Sequence, residues 1–256
     1  MKSLITFTKK ERMEQARSGK LLIIGIMFVL MGVMNPAIAK LTPWLLEMMS
    51  ESLEKIGMTI TQIKVNALDS WQQFYKNIPM GLIAFLLIEG GIFTKEYESG
   101  TLVLSLTKGL ERYKVVVSKA LVLIALWTVG YWLCFVITYG YNACFWDNSV
   151  AQNLILSAVN WWVFGLFILS LTVFFSVLSK SNSAVFGGVG GSVLALYIIS
   201  LFPKLKEYSP LMLADGNSLI FGLKEIKAYS TAVCITIVLS ALCFAASIPI
   251  FNKKQL

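Results

Sequence analysis

Six apolar runs of about twenty residues recur along this chain, the length at which a helix crosses the roughly 30 Å hydrocarbon core of a bilayer. Nearly all the charge lies between them. Only 14% of the 256 residues are charged and 57% are hydrophobic, against about 25% charged in a soluble domain. Backbone polar groups in lipid must be satisfied inside the segment, so runs of this kind fold as helices. The chain reads as an all-α integral membrane protein with six transmembrane helices.

The expected spans cover about 21–39, 74–93, 120–141, 154–178, 184–202 and 228–251 within one transmembrane domain, 21–251. A basic interfacial segment, 1–20, precedes them. A charged loop, 94–119, joins the second and third, and a short tail, 252–256, follows the last. Segment 1–20, the 94–119 loop, Lys180 and the tail carry fourteen of the 22 Lys/Arg, and the opposite loops carry eight. The positive-inside rule therefore places both termini and the 94–119 loop in the cytoplasm.

Composition also excludes chemistry. There is no histidine, which removes His–metal sites and His-based nucleophile systems. No Walker A phosphate loop is present. The four cysteines, Cys134, Cys144, Cys234 and Cys243, lack C-x-x-C spacing and read as buried thiols rather than metal ligands, apart from Cys144, which could face outside. The net charge of +8 sits at the ends of apolar runs, where it anchors the chain among membrane lipids and does not point to nucleic acid.

Local features refine the topology. Leu4, Ile5 and Phe7 would let segment 1–20 rest on the membrane surface, and a solvated tail fits the same residues. Ala37-Ile38-Ala39 imitates a signal-peptidase site, but the preceding run is long and more spans follow, so the first helix stays uncleaved. Asn35-Pro36 should kink or end it. Leu45, Met48, Met49, Leu53 and Ile56 form a stripe opposite Glu47, Glu51 and Glu54, predicting an amphipathic outer helix. Trp71, Phe74 and Tyr75 then form an aromatic belt at the headgroup layer. Glu89, one turn from the cytoplasmic end of the second span, faces either a substrate cavity or a partner helix at the membrane edge. Gly187 and Gly191 make a G-x-x-x-G for close helix packing. The connection Pro203–Lys227 is too apolar for a free loop, so an amphipathic or re-entrant outer segment is expected before the last helix.

The 94–119 loop carries the remaining signal. Glu96-Tyr97-Glu98-Ser99-Gly100-Thr101-Leu102 is followed by Leu106, Lys108, Gly109, Arg112 and Lys119. Ser99 or Thr101 would cap a short helix, with Gly100 freeing the turn before it. Together with the six-span order, the basic N-terminal segment and the long connection before the last span, this loop resembles that of the ABC-2 family of transporter permeases. An E-x-G-T-L pattern there precedes spaced basic residues.

That resemblance implies an ABC-2, type V exporter-like architecture: a non-enzymatic half-transporter in a bacterial plasma membrane. It would pair with itself or a sister permease and be driven by separate ATPase subunits that bind ATP and Mg. A coupling helix near Ser99–Thr107 would meet the ATPase, with Glu96, Glu98, Ser99, Gly100, Thr101, Leu102, Leu106, Lys108 and Arg112 as coupling residues. Spans two and five would line the pathway, here with Phe85, Glu89, Phe186 and Tyr197. So apolar a lining suits a hydrophobic or amphipathic cargo, with export of a membrane-active peptide, antimicrobial or toxin as the expectation. An ion-gradient-driven secondary transporter and a non-transporting accessory subunit are the alternatives.

Overall fold

The structure, a computed structural model, describes residues 2–48, 65–100, 102, 106–107 and 109–254. Among them it is entirely helical. Helix α1 (Lys2–Arg17) is followed by α2 (Lys20–Met48), and Gly19 makes the break between them at φ +73°. Next come α3 (Ala67–Glu89), α4 (Thr94–Ser99) and α5 (Arg112–Phe145). Helices α6 (Leu154–Leu178) and α7 (Asn182–Ser200) form a hairpin. Short α8 (Pro203–Lys206), a 3₁₀ turn (Pro210–Ala214) and α9 (Gly216–Ile220) then lead to α10 (Lys227–Lys253).

Five of these helices, α2, α5, α6, α7 and α10, are long and apolar enough to cross a membrane. Helix α3, expected as a sixth crossing from about residue 74, begins earlier and is more polar. Asn66 caps it, accepting from Leu68 N at 2.8 Å while Asp69 accepts from Asn66 N at 2.8 Å. Its first half carries Ser70, Gln72, Gln73, Lys76 and Asn77. Trp71, Phe74 and Tyr75 do not form an outward belt. They are buried against α5, with Phe74 meeting Tyr131 at 5.9 Å and Trp71 meeting Phe135 at 5.0 Å between ring centroids. The Trp71 indole donates to Asn148 at 3.0 Å, so the ring's polar edge is satisfied facing inward.

Helix α2 continues through Pro36 and Pro43 to Met48 rather than ending near its predicted outer face. Proline at position 36 removes the N–H that would bond the carbonyl of Gly32. The Thr138 hydroxyl on α5 donates to that carbonyl instead, at 3.1 Å. Thr138 also accepts from Asn35 at 3.2 Å, and Asn77 on α3 donates to Asn35 Oδ1 at 2.9 Å. One hydroxyl thus replaces the lost helix bond and ties three helices together. The approach is close because Gly32 has no side chain: a Cβ there would lie 2.9 Å from Ile137 Cβ.

Helix α6 runs through the centre, packed against α10, α5 and α7. The connection before α10 folds back over its end. Trp161 donates to Ala214 O at 2.8 Å, Ser157 to Gly216 O at 3.0 Å, and Met212, Leu213, Leu219 and Ile220 are buried. Its apolar residues therefore cover the bundle end. Helix α7 buries only Val185 and Val189. The expected packing through Gly187 and Gly191 is not used among the described residues, where nothing lies within 4 Å of a Cβ placed at either; Gly188 instead faces the Phe175 ring. Of the predicted amphipathic stripe, Leu45 and Met48 fall on the last turns of α2, while Met49, Leu53 and Ile56 lie outside the described residues.

Thr138→Val should lower stability by about 1–2 kcal/mol by orphaning the Gly32 carbonyl and the Asn35 amide. Thermal unfolding of the purified protein in detergent reads this as a lower Tm, with the helix content of the folded protein unchanged.

Candidate functional site

One end of the bundle gathers most of the chain's buried charge. Helix α1 is amphipathic in an unusual sense. Phe7, Glu11 and Gln15, spaced four apart, share the buried face, while Lys9, Arg12 and Arg17 are exposed. Beyond the expectation for segment 1–20, α1 packs along the first turns of α5, and an acid, not a base, turns inward. Thr8 hydrogen-bonds Ser118 at 3.0 Å beside it.

Lys119 on α5 is 2% exposed and lies 2.8 Å from Glu11 and 3.0 Å from Glu96 of α4. Lys10, at 45% exposure, closes the ring at 3.3 Å from Glu11 and 3.0 Å from Glu96. Two carboxylates and two ammonium groups thus bind three helices. Burial pushes the Glu96 carboxyl up, but the Lys119 charge and hydrogen bonds from Lys10 and Lys119 outweigh it and hold the group below its usual range. A second pair sits one turn away: Glu89, fully buried, accepts from Gln15 at 2.6 Å and lies 3.4 Å from Lys20. Of its two readings, the geometry places Glu89 against α1 and the start of α2.

The C-terminus is held at the same end. Arg112 donates to the carbonyls of Phe251, Asn252 and Lys254 at 3.2, 3.3 and 2.5 Å, satisfying the open end of α10. Lys254 donates to Val177 O and Ser179 O at 2.5 and 3.0 Å and covers the Tyr97 ring at 4.2 Å. Burial, followed by repulsion from Lys180, lowers its ammonium to about 8. Phe93 packs edge-on against Phe251 at 6.0 Å.

The predicted coupling residues divide accordingly. Glu96 and Leu102 are buried, Leu106 and Arg112 half-buried, and Gly100 exposed. Gly100, at φ +65°, terminates α4. Helix α4 lies just before the expected coupling segment, Ser99–Thr107, in which the described residues Leu102, Leu106 and Thr107 are helical. Thr101 and Lys108 lie outside the described residues, as do the side chains of Glu98 and Ser99. Gly109, at φ +85°, turns the chain towards α5.

The predicted pathway residues separate too. Phe85 is buried against Trp127, 5.8 Å between centroids, and Tyr197 is 62% exposed. Phe186 alone of the four lines an apolar cavity of about 410 Å³ between α3, α6 and α7, with Pro79, Leu82, Leu86, Trp161 and Phe164 among its other walls. Residue-by-residue reading missed Glu11, Gln15 and Lys254. The signal for the first two was present, as a carboxylate and an amide on the same stripe as Phe7, where a soluble-surface pattern would put them outside.

A family model described as ABC-2 family transporter protein matches residues 5–256. Comparison with curated proteins returns no match.

Lys119→Met should destabilise the protein by about 3–5 kcal/mol, because it leaves Glu11 and Glu96 buried without their shared counter-charge. Glu96 binds its proton less readily folded than unfolded. Its contribution to stability is thus complete above the unfolded value near 4.5 and is lost as pH falls through the lower folded value. Unfolding measured between pH 3 and pH 7 should show this acid-side loss in the wild type and not in Glu96→Gln.

Proposed function

The chain belongs to the ABC-2 transporter family, and from that premise we propose that it is the membrane-spanning subunit of an ATP-driven exporter. The observation that carries this reading is the attachment of α4 to two other helices through buried charge. The ring of Lys10, Glu11, Glu96 and Lys119 makes α4 a rigid extension of α1 and α5. A force applied to the 94–119 loop enters the membrane-spanning helices without being absorbed by a flexible linker.

In this reading α3 is the sixth crossing, with Ser70 of its polar first half buried, Gln73 and Asn77 half-buried, and Gln72 and Lys76 exposed. Both termini and α4 face the cytoplasm of a bacterial cell. A separate ABC ATPase docks on the exposed side of the loop around Gly100 and binds the ATP and Mg; this chain hydrolyses nothing. Glu96, Leu102 and Arg112 act inward as transmitters, and the outward coupling contact falls to the exposed turn that follows α4. Two permease copies, identical or sister, complete the transporter. The commitment of Glu89 to Gln15 and Lys20 supports ATP drive over an ion gradient, because it already has partners at this end. The apolar cavity beside Phe186 supports a hydrophobic or amphipathic cargo such as a membrane-active peptide.

Affinity purification of the full-length permease from its native membrane should bring down a nucleotide-binding ATPase. Gly100→Trp should reduce the recovered ATPase by about tenfold or more. Glu111→Cys, with Cys144 and Cys234 replaced by serine, should react with a membrane-impermeant maleimide in inside-out vesicles only. Labelling of that cysteine in intact cells would overturn the topology and the function with it.

A further inference from the structure

Helix α7 is the least enclosed long helix among the described residues, with Leu194, Tyr197 and Ile198 all more than half exposed. Two contacts nevertheless tie its first turn to the junction of α3 and α4. The Thr94 hydroxyl, fully buried, hydrogen-bonds the side-chain oxygen of Asn182, the first residue of α7. One turn earlier, Gly90 presents bare backbone to the Phe186 ring, and a Cβ at Gly90 would lie 2.6 Å from two of its atoms. Gly90 and Thr94 are four residues apart, as are Asn182 and Phe186. The turn that joins α3 to α4 thus meets the first turn of α7 at two points.

The same junction is held from its far side. Glu96, two residues beyond Thr94, is pinned by Lys10 and Lys119, so α4 cannot rotate without carrying Thr94. Phe186 is also a wall of the apolar cavity. Movement of α4 therefore reaches that wall through one hydrogen bond and one ring-on-glycine contact.

We propose that Gly90, Thr94, Asn182 and Phe186 form a two-point latch that makes α7 follow α4, and that these four are positioning residues for the transport step. Their role in transport rests on the reading that α4 receives the ATPase. The mechanical coupling of α4 to α7 does not. The latch requires glycine at position 90 for a steric reason and a donor at position 94 for a polar one, so the two halves can be broken separately.

Two measurements test it on the full chain in lipid nanodiscs. Without any ATPase, amide hydrogen exchange across 182–190 should accelerate about tenfold in Thr94→Val, the loss of one hydrogen bond, and also in Gly90→Ala, with α10 unchanged. In the permease–ATPase complex, nitroxide labels at Leu194→Cys and Leu242→Cys, with Cys144 and Cys234 replaced by serine, should report a distance change on adding ATP. Both variants should abolish that change while the ATPase stays bound and hydrolyses ATP. Shrinking the ring in Gly90→Ala/Phe186→Val should restore it. Unchanged exchange at 182–190 in both variants, or a retained distance change, would overturn the latch. If no ATPase binds the wild type, the exporter reading falls, and the exchange measurement alone still decides whether α4 and α7 are coupled.

Discussion

The burial of the Lys119 ammonium governs how the end of the bundle that gathers α1, α4 and the C-terminal residues is built. It sits within the first turns of a membrane-crossing helix at 2% exposure, where an unpaired charge costs several kcal/mol even after relaxation. Two carboxylates from different parts of the chain meet that requirement, Glu11 from α1 and Glu96 from α4. With both acids beside the one base, a surplus negative charge is left. Lys10 supplies the fourth member at 3.3 and 3.0 Å from the two acids. Such a ring adds little net stability over a packed apolar contact, but it permits only one registry of the three helices. The outcome is positional accuracy at the junction between the charged loop and the apolar bundle.

Deeper in the bundle, accuracy comes from shape. Lipid tails are as apolar as leucine, so no hydrophobic gain drives one span against another, and close contact at small residues takes over. Gly130 accepts the Phe28 ring and Gly165 accepts Trp127, where an added Cβ would sit 2.4 and 2.3 Å away respectively. Phe28 and Trp127 then meet edge-on at 5.9 Å. Large rings set into glycine notches fix the spacing of α2, α5 and α6 by exclusion. Thr138 serves the same interface chemically, by replacing the hydrogen bond that Pro36 deletes.

Much of this was legible from residue order, and the failures have physical reasons. The helix cores were readable because lipid imposes one composition over a fixed length. The ends were not: α5 begins at Arg112 and α2 extends to Met48, because helices continue beyond the hydrocarbon wherever the chain packs on itself. Pro36 read as a breaker because its compensating donor, Thr138, lies on another span. Gly100 reads as a special backbone position ahead of a short helix, and its left-handed backbone closes α4. The residues expected to couple stand out by charge and spacing, yet nothing local distinguishes an acid that faces a partner from one that faces Lys119. That distinction depends on α1, whose buried acid is separated from the loop by α2 and α3.

Helix α7 is held in place differently from the rest of the bundle. Helix α6 is enclosed along most of its length by α5, α7 and α10, so shifting it would disturb many close contacts at once. Helix α7 turns most of its side chains outward, and in a bilayer those side chains meet hydrocarbon of equal apolarity wherever the helix stands. Burial area therefore does not select its position. What selects it are a few contacts that lipid cannot imitate: Thr94 with Asn182, Gly90 with Phe186, Gly188 with Phe175, and Ser200 with Ser209 at 2.9 Å at the opposite end. A helix held at so few points moves when one point moves, and two of those points belong to the segment that the buried charge ring holds rigid.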